Sequence, residues 1–323
     1  MIVEYVWIDG NDKLRSKTRV LADGSPIPHW NYDGSSTGQA SGVDSEIIIV
    51  PRAIFNDPFR KNNNKMVMCD TYYPNGHPLP GNNRHKASLI FNKYLAEEPW
   101  FGLEQEYFIM DMPVGEPNKL GLYYCGVGNG NADGRHIAEE HLMCCIEAGI
   151  KISGINAEVS PCQWEFQIGP CVGIEQGDHM WMARYILNRI SEKHKVNINY
   201  ETKPLQGDFN GSGCHANFST KNMREGLMGR PGIDFIKESI YKLSLKHNEH
   251  MQVYGTGNEL RMTGKNETSD FNTFTYGVAN RGTSIRIGNE TEKNGYGYFE
   301  DRRPSSTCDP YLVTSKLVET TFE

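Results

Sequence analysis

The sequence contains no apolar run of about 18 residues, which is the length that a helix needs to cross a bilayer. We therefore expect no membrane-spanning helix. Residues 1–10 lack the basic and then apolar segments of a signal peptide and already have the pattern of folded structure. None of the eight cysteines forms a CxxC pair, so the spacing of a structural zinc site is missing too. Reduced, mostly buried thiols in the cytoplasm are the simplest interpretation.

Basic residues are in the minority. Lys and Arg number 33 against 40 Asp and Glu, which gives a formal net charge of −7. This balance disfavours an extended surface for nucleic acid or anionic membranes, although arginines can still gather in one anion pocket. Repeats and low-complexity tracts are also missing. With 323 residues, 38% hydrophobic and 23% charged, the chain is long and apolar enough for two globular domains.

The first part of the chain has the pattern of a small β domain. Strands are expected at 2–8, 15–21, 46–50 and 66–73, the first two forming a hairpin around the turn at 9–12. Residues 31–38 are small and polar, which predicts a loop. This loop lacks the lysine and the following helix of a phosphate-binding loop, but it carries one acid, Asp33. Proline and glycine concentrate at 73–81, so we predict domains over 1–76 and 82–323.

The second part alternates helices with strands. Helices are expected at 85–98, 135–148, 178–195 and 232–250, and strands at 101–108, 152–159, 163–168, 214–219, 284–287 and 296–300. In the first of these helices, Leu89, Ile90 and Tyr94 share one side. In the strand at 214–219, one face carries His215, Asn217 and Ser219, and the other carries Cys214, Ala216 and Phe218.

Two acids lie two residues apart within an apolar strand. Glu104 and Glu106 project from the same face, because side chains alternate along a strand. Two adjacent anions repel each other and resist burial unless a positive charge neutralises them. An isolated pair of this kind is most often a solvated acidic face. Further ligands from other strands would make it a metal site.

The other strands supply such ligands. Six candidate ligands lie on five strands expected to form one antiparallel sheet: Glu104, Glu106, Glu158, Glu165, His215 and Glu300. Many carboxylates with a single imidazole suit Mg²⁺ or Mn²⁺ better than zinc. Arginines lie beside apolar strands near the end of the chain, at Arg261, Arg281, Arg286, Arg302 and Arg303. Two divalent ions with an arginine cluster are typical of phosphoryl transfer from a nucleotide.

Several motifs, in order over nearly the whole chain, resemble those of eukaryotic-type (type II) glutamine synthetase. They lie at 33–39, 101–107, 156–158, 163–170, 213–215, 278–281 and 297–304. The resemblance implies an α+β fold, with a small N-terminal β-grasp domain and a larger catalytic domain whose curved antiparallel sheet is flanked by helices. It implies that ATP drives the ligation of ammonia to L-glutamate through γ-glutamyl phosphate. It further implies a cytoplasmic homo-oligomer of stacked rings, a decamer, with active sites between subunits.

The resemblance also assigns roles to residues. One Mg²⁺ or Mn²⁺ would be held by Glu106, Glu158 and Glu165, and a second by Glu104, His215 and Glu300. The implied catalytic residues are Asp33, Glu267, Arg281 and Arg286. The implied glutamate-binding residues are Tyr124, Asp208, Phe209, Asn210, Gly211, Arg261, Arg281 and Arg302. The implied nucleotide-binding residues are Trp100, Glu104, Glu165, Phe166, Gln167, Ile168, Gly169, Pro170, Asn217, Phe218, Ser219, Arg281, Arg286, Tyr298, Phe299 and Glu300.

The chain departs from the family pattern in a few places. Asn266 stands where the family has a histidine before Glu267, and Asp208 and Phe209 vary the segment before Asn210. Residues 287–289 and 130–134 differ as well, and the family's leading helical segment has no counterpart here. Two alternatives to a glutamate–ammonia ligase remain: a ligase that uses another amine, and an inactive structural relative. The inactive relative predicts lost ligands or arginines, and the sequence retains both.

Overall fold

The computed structural model describes residues 1–112, 122–207 and 209–323. Its strands are β1 (Ile2–Ile8), β2 (Leu14–Val20), β3 (Trp30–Asp33), β4 (Glu46–Asn56), β5 (Lys65–Tyr72), β6 (Trp100–Ile109), β7 (Ile152–Ala157), β8 (Gln163–Val172), β9 (Ile198–Asn199), β10 (Cys214–Ser219), β11 (Tyr276–Val278), β12 (Ile285–Ile287) and β13 (Phe299–Asp301). Its α-helices are α1 (Asn83–Lys93), α2 (Arg135–Ala148), α3 (Glu175–His194), α4 (Lys221–Glu225), α5 (Gly232–Leu245), α6 (His247–Val253), α7 (Asn289–Asn294) and α8 (Pro310–Phe322). The expected α+β class is confirmed.

The first sheet has the order β2-β1-β5-β4-β3, with β1 and β5 parallel and the other pairs antiparallel. The predicted hairpin of β1 and β2 is confirmed. The prediction of a loop over 31–38 was wrong in its first half, because Trp30–Asp33 pairs with β4 and a 3₁₀ turn, Gly34–Thr37, follows. The buried ring of Tyr32 stacks on Trp7 at 4.4 Å, so tertiary packing favours a strand that the polar composition hides.

Both faces of this first sheet are buried. One face has its own small core, which includes Tyr5, Trp7 and Ile49. The other face, with Val6 and Met68, joins the main core of the larger sheet and its helices. The sheet therefore lies on the remainder of the chain rather than apart from it. The division into domains at 1–76 and 82–323 stays a prediction.

The second sheet contains the order β11-β12-β13-β10-β6-β8-β7, with β9 paired to β6. It is antiparallel, as expected, apart from the parallel pair of β11 and β12. Register shifts occur in β6 opposite β8 and in β7 opposite β8, and such irregularities increase the local bend of a sheet.

Alternation sorts this sheet into a core face and a polar face. The rings of Phe101 and Phe218 stack at 5.0 Å on the core face, and Phe299 lies 5.6 Å from Phe218. Helix α3 packs against the same core, with Met180 and Leu187 fully buried. The acids therefore lie on the opposite face of the sheet.

Helices α4, α7 and α8 were not predicted, and two of the predicted helices differ from expectation. Helix α1 begins at Asn83, where the Asn82 side chain caps it, and ends at Lys93, before the predicted end. Its buried residues are Ala87 and Phe91, and the predicted Ile90 and Tyr94 pack against the core, whereas the prediction was wrong for Leu89, which is 60% exposed. The single helix predicted over 232–250 is two helices, α5 and α6, because Lys246 leaves helical geometry at φ −109 and ψ 20.

Candidate active site

Strand register gathers the acids on one face of the second sheet. Glu106 is opposite Glu165 in the β6–β8 pair, and Glu104 is opposite His215 in the β6–β10 pair. Glu300 is opposite Asn217 one strand further on. Glu158 follows the last residue of β7 directly, so its side chain is held at the strand end rather than within the strand as predicted. The six candidate ligands thus form two groups of three.

The first group, which we call the carboxylate group, consists of Glu106, Glu158 and Glu165. One oxygen from each lies within 4.8 Å of the others, and all three residues are buried. Burial, and then the neighbouring carboxylates, raises the pKa of Glu165 to about 10 and that of Glu106 to about 8. Burial also raises the pKa of Glu158. The raised pKa values favour the protonated, neutral form of these carboxyl groups when no cation is bound.

Amide groups surround the carboxylate group. The backbone N–H of Gly213 donates to Glu106 Oε2 at 2.8 Å, and Gln163 Nε2 donates to the same oxygen at 3.3 Å. A Cβ at Gly213 would lie 2.8 Å from His215 Nε2, so this close approach of the backbone requires glycine. These contacts fix the orientation of Glu106.

The second group, which we call the mixed group, consists of Glu104, His215 and Glu300. His215 Nδ1 lies 3.4 Å from Glu104 Oε2 and 3.6 Å from Glu300 Oε1. Burial and the nearby Arg302 hold the pKa of His215 well below its usual range, so the ring is neutral, the form that ligates metals. Asn217 Nδ2 donates to Glu104 Oε1 at 2.8 Å.

Arginines lie beside the mixed group and extend to the loop around Glu267. Glu300 pairs with Arg302 at 2.5 Å and with Arg286 at 3.2 Å. Arg302 also donates to the Glu267 carbonyl oxygen at 3.2 Å, and Arg281 pairs with the Glu267 carboxylate at 3.3 Å. Positive charge is therefore held on one side of the site.

A cavity of about 410 Å³ opens beside these groups. It brings together ten of the predicted site residues, Glu106, Glu158, Phe209, Asn210, Gly211, His215, Arg261, Glu267, Arg281 and Arg302. Arg261 is almost fully buried, with its Nε donating to Asn258 and its Nη2 to the Arg302 and Arg303 carbonyl oxygens. These bonds immobilise the guanidinium at the cavity wall.

The cavity wall also contains residues that were not predicted as site residues, namely Lys203, Thr263 and Lys265. Gln163 also lines it, and its position two residues before Glu165 on the same strand face was a usable signal. Lys203 and Thr263 lie outside any recognisable pattern, since only the folding of their loops brings them here.

Other predicted site residues lie elsewhere. Asp33 ends β3 in the first sheet, exposed and outside the cavity wall of its own chain. Hydrogen bonds from Ser35 and Ser36 lower the pKa of Asp33 to about 2. Tyr124 is also outside the wall, with its ring 6.0 Å from the Arg281 guanidinium. Asp208 lies outside the described residues.

The predicted nucleotide contacts divide by strand face. Trp100 is paired with Ser219 at the end of the β6–β10 ladder, and the guanidinium of Arg224 covers the Trp100 ring at 3.9 Å. Tyr298 is exposed at 53%. The side chains of four others face the core and leave only their backbone for a ligand: Phe166, Ile168, Phe218 and Phe299. Gly169 and Pro170 continue β8 beyond them.

The donor chemistry fits divalent cations. Three buried carboxylates close together, and two more beside a neutral imidazole, are sets that hard cations such as Mg²⁺ or Mn²⁺ accept. The arginine-lined cavity next to them suits an anionic substrate. Fold and site therefore define a divalent-metal enzyme that acts on anions.

Comparison with known proteins identifies the family. The profile described as "Glutamine synthetase, catalytic domain" matches residues 93–232. The chain is 54% identical to glutamine synthetase cytosolic isozyme 1-1 of Oryza sativa subsp. japonica, and 55% identical to cytosolic isozyme 2 of Vitis vinifera and to cytosolic isozyme 1-3 of Arabidopsis thaliana. Each match covers all of this chain and 94% of the relative.

The chain belongs to the glutamine synthetase family, of the eukaryotic type expected from its motifs. Over the parts of the chain that the structure describes, helices that combine the length and the apolar character needed to cross a membrane are not found.

Proposed function

We propose that this protein catalyses the ATP-dependent ligation of ammonia to L-glutamate, giving L-glutamine, ADP and phosphate. The observation that carries the proposal is the pair of three-ligand groups beside a cavity lined by Arg261, Arg281 and Arg302. The family and its close relatives support the same reaction. A carboxylate resists attack by an amine, and phosphorylation of the glutamate γ-carboxylate by ATP supplies a leaving group.

The carboxylate group and the mixed group would each hold one Mg²⁺ or Mn²⁺ ion. When bound, such ions offset the negative charge on the phosphoryl group as it is transferred. Arg281 and Arg286 extend that positive field from the side of the mixed group. The two ends of glutamate would be held by Arg261 and Arg302, since a planar guanidinium binds carboxylate oxygens in pairs.

Ammonium must be attracted to the site and must lose a proton before it attacks. By family resemblance we assign both roles, attraction of ammonium and acceptance of its proton, to Asp33, whose carboxylate accepts hydrogen bonds from the hydroxyls of Ser35 and Ser36. Because Asp33 is outside the cavity wall of its own chain, a second subunit would have to supply it. This supports a homo-oligomer with sites between subunits, and we propose the stacked rings of a decamer.

Glu267 would close the site. Its carboxylate lies at the cavity beside Arg281, and its backbone carbonyl accepts from Arg302. A loop tied to two arginines in this way would exclude water from the acyl phosphate, which water would otherwise hydrolyse. The nucleotide would bind along the strand ends near Trp100, Ser219 and Tyr298. Since its close relatives are cytosolic isozymes, we place this protein in the cytoplasm and expect neither nucleic acid nor membrane as a partner.

Phosphate release from ATP tests the reaction. With Mg²⁺ and glutamate, added ammonium should stimulate release and glutamine should accumulate in equal amount. If phosphate release depends on a different amine, that amine rather than ammonia is the acceptor. Failure of glutamate to stimulate release under any condition would refute the proposal.

Mixed oligomers test whether the site is shared. Asp33→Asn and Glu165→Gln should each be inactive alone, because one loses the ammonium site and the other a ligand. Co-assembly should restore part of the activity, since some interfaces then combine two intact halves. If mixed oligomers form but remain inactive, Asp33 acts within its own subunit or not at all.

A further inference from the structure

Two amide side chains connect the carboxylates of the carboxylate group. Gln167 Nε2 donates to Glu165 Oε1 and, at 2.7 Å, to Asn156 Oδ1. Asn156 Nδ2 in turn donates to Glu158 Oε1 at 2.9 Å. A continuous chain of hydrogen bonds, which we call the amide relay, therefore runs from Glu165 through Gln167 and Asn156 to Glu158.

The direction of the relay is fixed by its ends when the carboxylates are ionised, as they would be around a bound cation. An ionised carboxylate only accepts hydrogen bonds, so each amide then turns its nitrogen toward its glutamate. Gln167 then uses both of its N–H bonds, one on Glu165 and one on Asn156. The Asn156 oxygen is thereby held as an acceptor, which turns its nitrogen to Glu158. One orientation of both amides satisfies every contact.

The sheet is built to seat this relay. Asn156 is paired with Glu165, and Gly154 with Gln167, in the β7–β8 ladder. A Cβ on Gly154 would lie 2.7 Å from Gln167 Oε1, so glycine leaves the space that the amide occupies. Both amide hydrogens of Gln167 are already committed to the relay. The nucleotide contact expected for Gln167 from the family motif would therefore use its side-chain oxygen or its backbone.

We infer that Asn156 and Gln167 are positioning residues that set the divalent-ion preference of the carboxylate group. This inference rests on the proposed function, since it requires that the group binds a metal ion. The relay occupies one oxygen of Glu165 and one of Glu158, and Gly213 with Gln163 occupies one of Glu106. Glu106 and Glu165 then each favour ligation through a single oxygen, and Glu158, whose other oxygen accepts from the Val159 N–H at 3.2 Å, is held in one orientation.

Single-oxygen ligation favours a small ion. Mg²⁺ requires near-octahedral geometry and takes few protein ligands, whereas Ca²⁺ accepts carboxylates through both oxygens and tolerates irregular geometry. Carboxylates freed from the relay can rotate and offer both oxygens. Loss of the relay should therefore weaken Mg²⁺ and Mn²⁺ binding much more than Ca²⁺ binding.

The test measures binding of Mn²⁺ alone to the assembled protein, without nucleotide or glutamate. Free Mn²⁺ is followed by electron paramagnetic resonance, with Mg²⁺ or Ca²⁺ as competitors. Gln167→Met and Asn156→Leu remove the donors and keep the volume. We expect one of the two classes of Mn²⁺ site to weaken by about 10- to 100-fold, the effect typical of lost hydrogen bonds to ligands. The Mg²⁺-over-Ca²⁺ preference should fall by about tenfold.

Gly154→Ala provides an independent perturbation, because it displaces the Gln167 amide without altering it. It should shift affinity and preference in the same direction by a smaller factor. The matched control is Gly81→Ala, since a Cβ there meets no atom within 4 Å. It should bind as the wild type does. Asn217→Ala, which frees Glu104, should weaken the other class of site instead.

The outcomes separate the inference from the proposed function. If the wild type binds two classes of Mn²⁺ and the relay variants retain both affinity and ion preference, the inference is overturned and the proposed function stands. A weakened affinity with unchanged preference would also overturn it, because a general loss of structure produces that result. Absence of divalent-ion binding by the wild type would overturn both.

Discussion

The carboxylate group and the mixed group lie side by side on one sheet, yet their negative charges are offset in different ways. Glu106 and Glu165 are surrounded by amides and other carboxylates, and burial raises the pKa of each. Glu300 instead pairs with Arg302 and Arg286. Without metal, the raised pKa values favour protonation of the first group, whereas arginines pair with Glu300 in the second.

This difference indicates how the two groups respond to a cation. An ion entering the carboxylate group would displace protons, whereas an ion entering the mixed group would compete with Arg302 and Arg286 for Glu300. Arginines released from Glu300 would then be available to an anionic substrate. The two groups can therefore be distinguished by removing a metal ligand, by removing the charge of Glu300 or by changing the pH.

The largest effect is expected when the carboxylate group loses a ligand. Glu165→Ala should lower ammonium-dependent phosphate release by at least about 10³-fold, because the charge on the transferring phosphoryl group loses its support. One class of Mn²⁺ site should disappear while the mass of the assembly stays the same. Near-normal activity would show that Glu165 is not a ligand.

A smaller difference between the two groups is expected in the free energy of unfolding without metal. Glu300→Gln should lower the free energy of unfolding by about 3 kcal/mol, since Arg302 is buried and would lose its anion. Glu165→Gln should not lower it and should raise it at pH 7, because the amide resembles the protonated acid of the folded state without the cost of protonating a carboxylate on folding. Urea unfolding in EDTA measures both. Equal losses in the two variants would remove the distinction between the groups.

The smallest effect concerns pH. The folded-state pKa values of Glu106 and Glu165 lie above the ordinary value of 4.5, so their stabilising contribution is complete below about pH 4.5. It is lost as pH rises toward about 8 and about 10. Between pH 6 and 7, in EDTA, stability should fall by roughly 2 to 3 kcal/mol, since each of the two groups contributes about 1.4 kcal/mol per pH unit in this window. Thermal unfolding scans with EDTA and with Mg²⁺ measure this fall.

Two controls accompany the pH experiment. Saturating Mg²⁺ should suppress the fall in stability, because a cation replaces the protons that are lost. Glu165→Gln should reduce the fall without metal, since one titrating group is gone. A decline of the same size in all three samples would assign it to groups outside the carboxylate group.

Much of the site was predictable because strand alternation is local. The shared face of Glu104 and Glu106, and that of His215, Asn217 and Ser219, follows from the period of two along a strand. The motif resemblance then divided the six ligands into two groups of three. The strand register brings the members of each group together. The 3₁₀ turn and strand at 30–37 were not predictable, because polar residues there pair through backbone atoms with a distant strand.

The amide relay could not be predicted from the sequence, for a related reason. Asn156 and Gln167 are eleven positions apart, and their contact depends on the β7–β8 register and its irregularity near Gly154. Glutamine and asparagine are common on strands, so neither stands out by type. Loop residues such as Lys203 reach the cavity only through the path of the chain.

The sequence by itself determined the chemistry of the six ligands, the strand faces on which they lie and the family. Only the tertiary structure decided that Glu106 meets Glu165 while Glu104 meets His215, at sequence separations of about 60 and 110 residues. It also decided that arginines neutralise Glu300 and that amides orient Glu158 and Glu165. Side-chain direction is set by neighbouring residues, whereas strand pairing is set by long-range packing, which a local pattern does not contain.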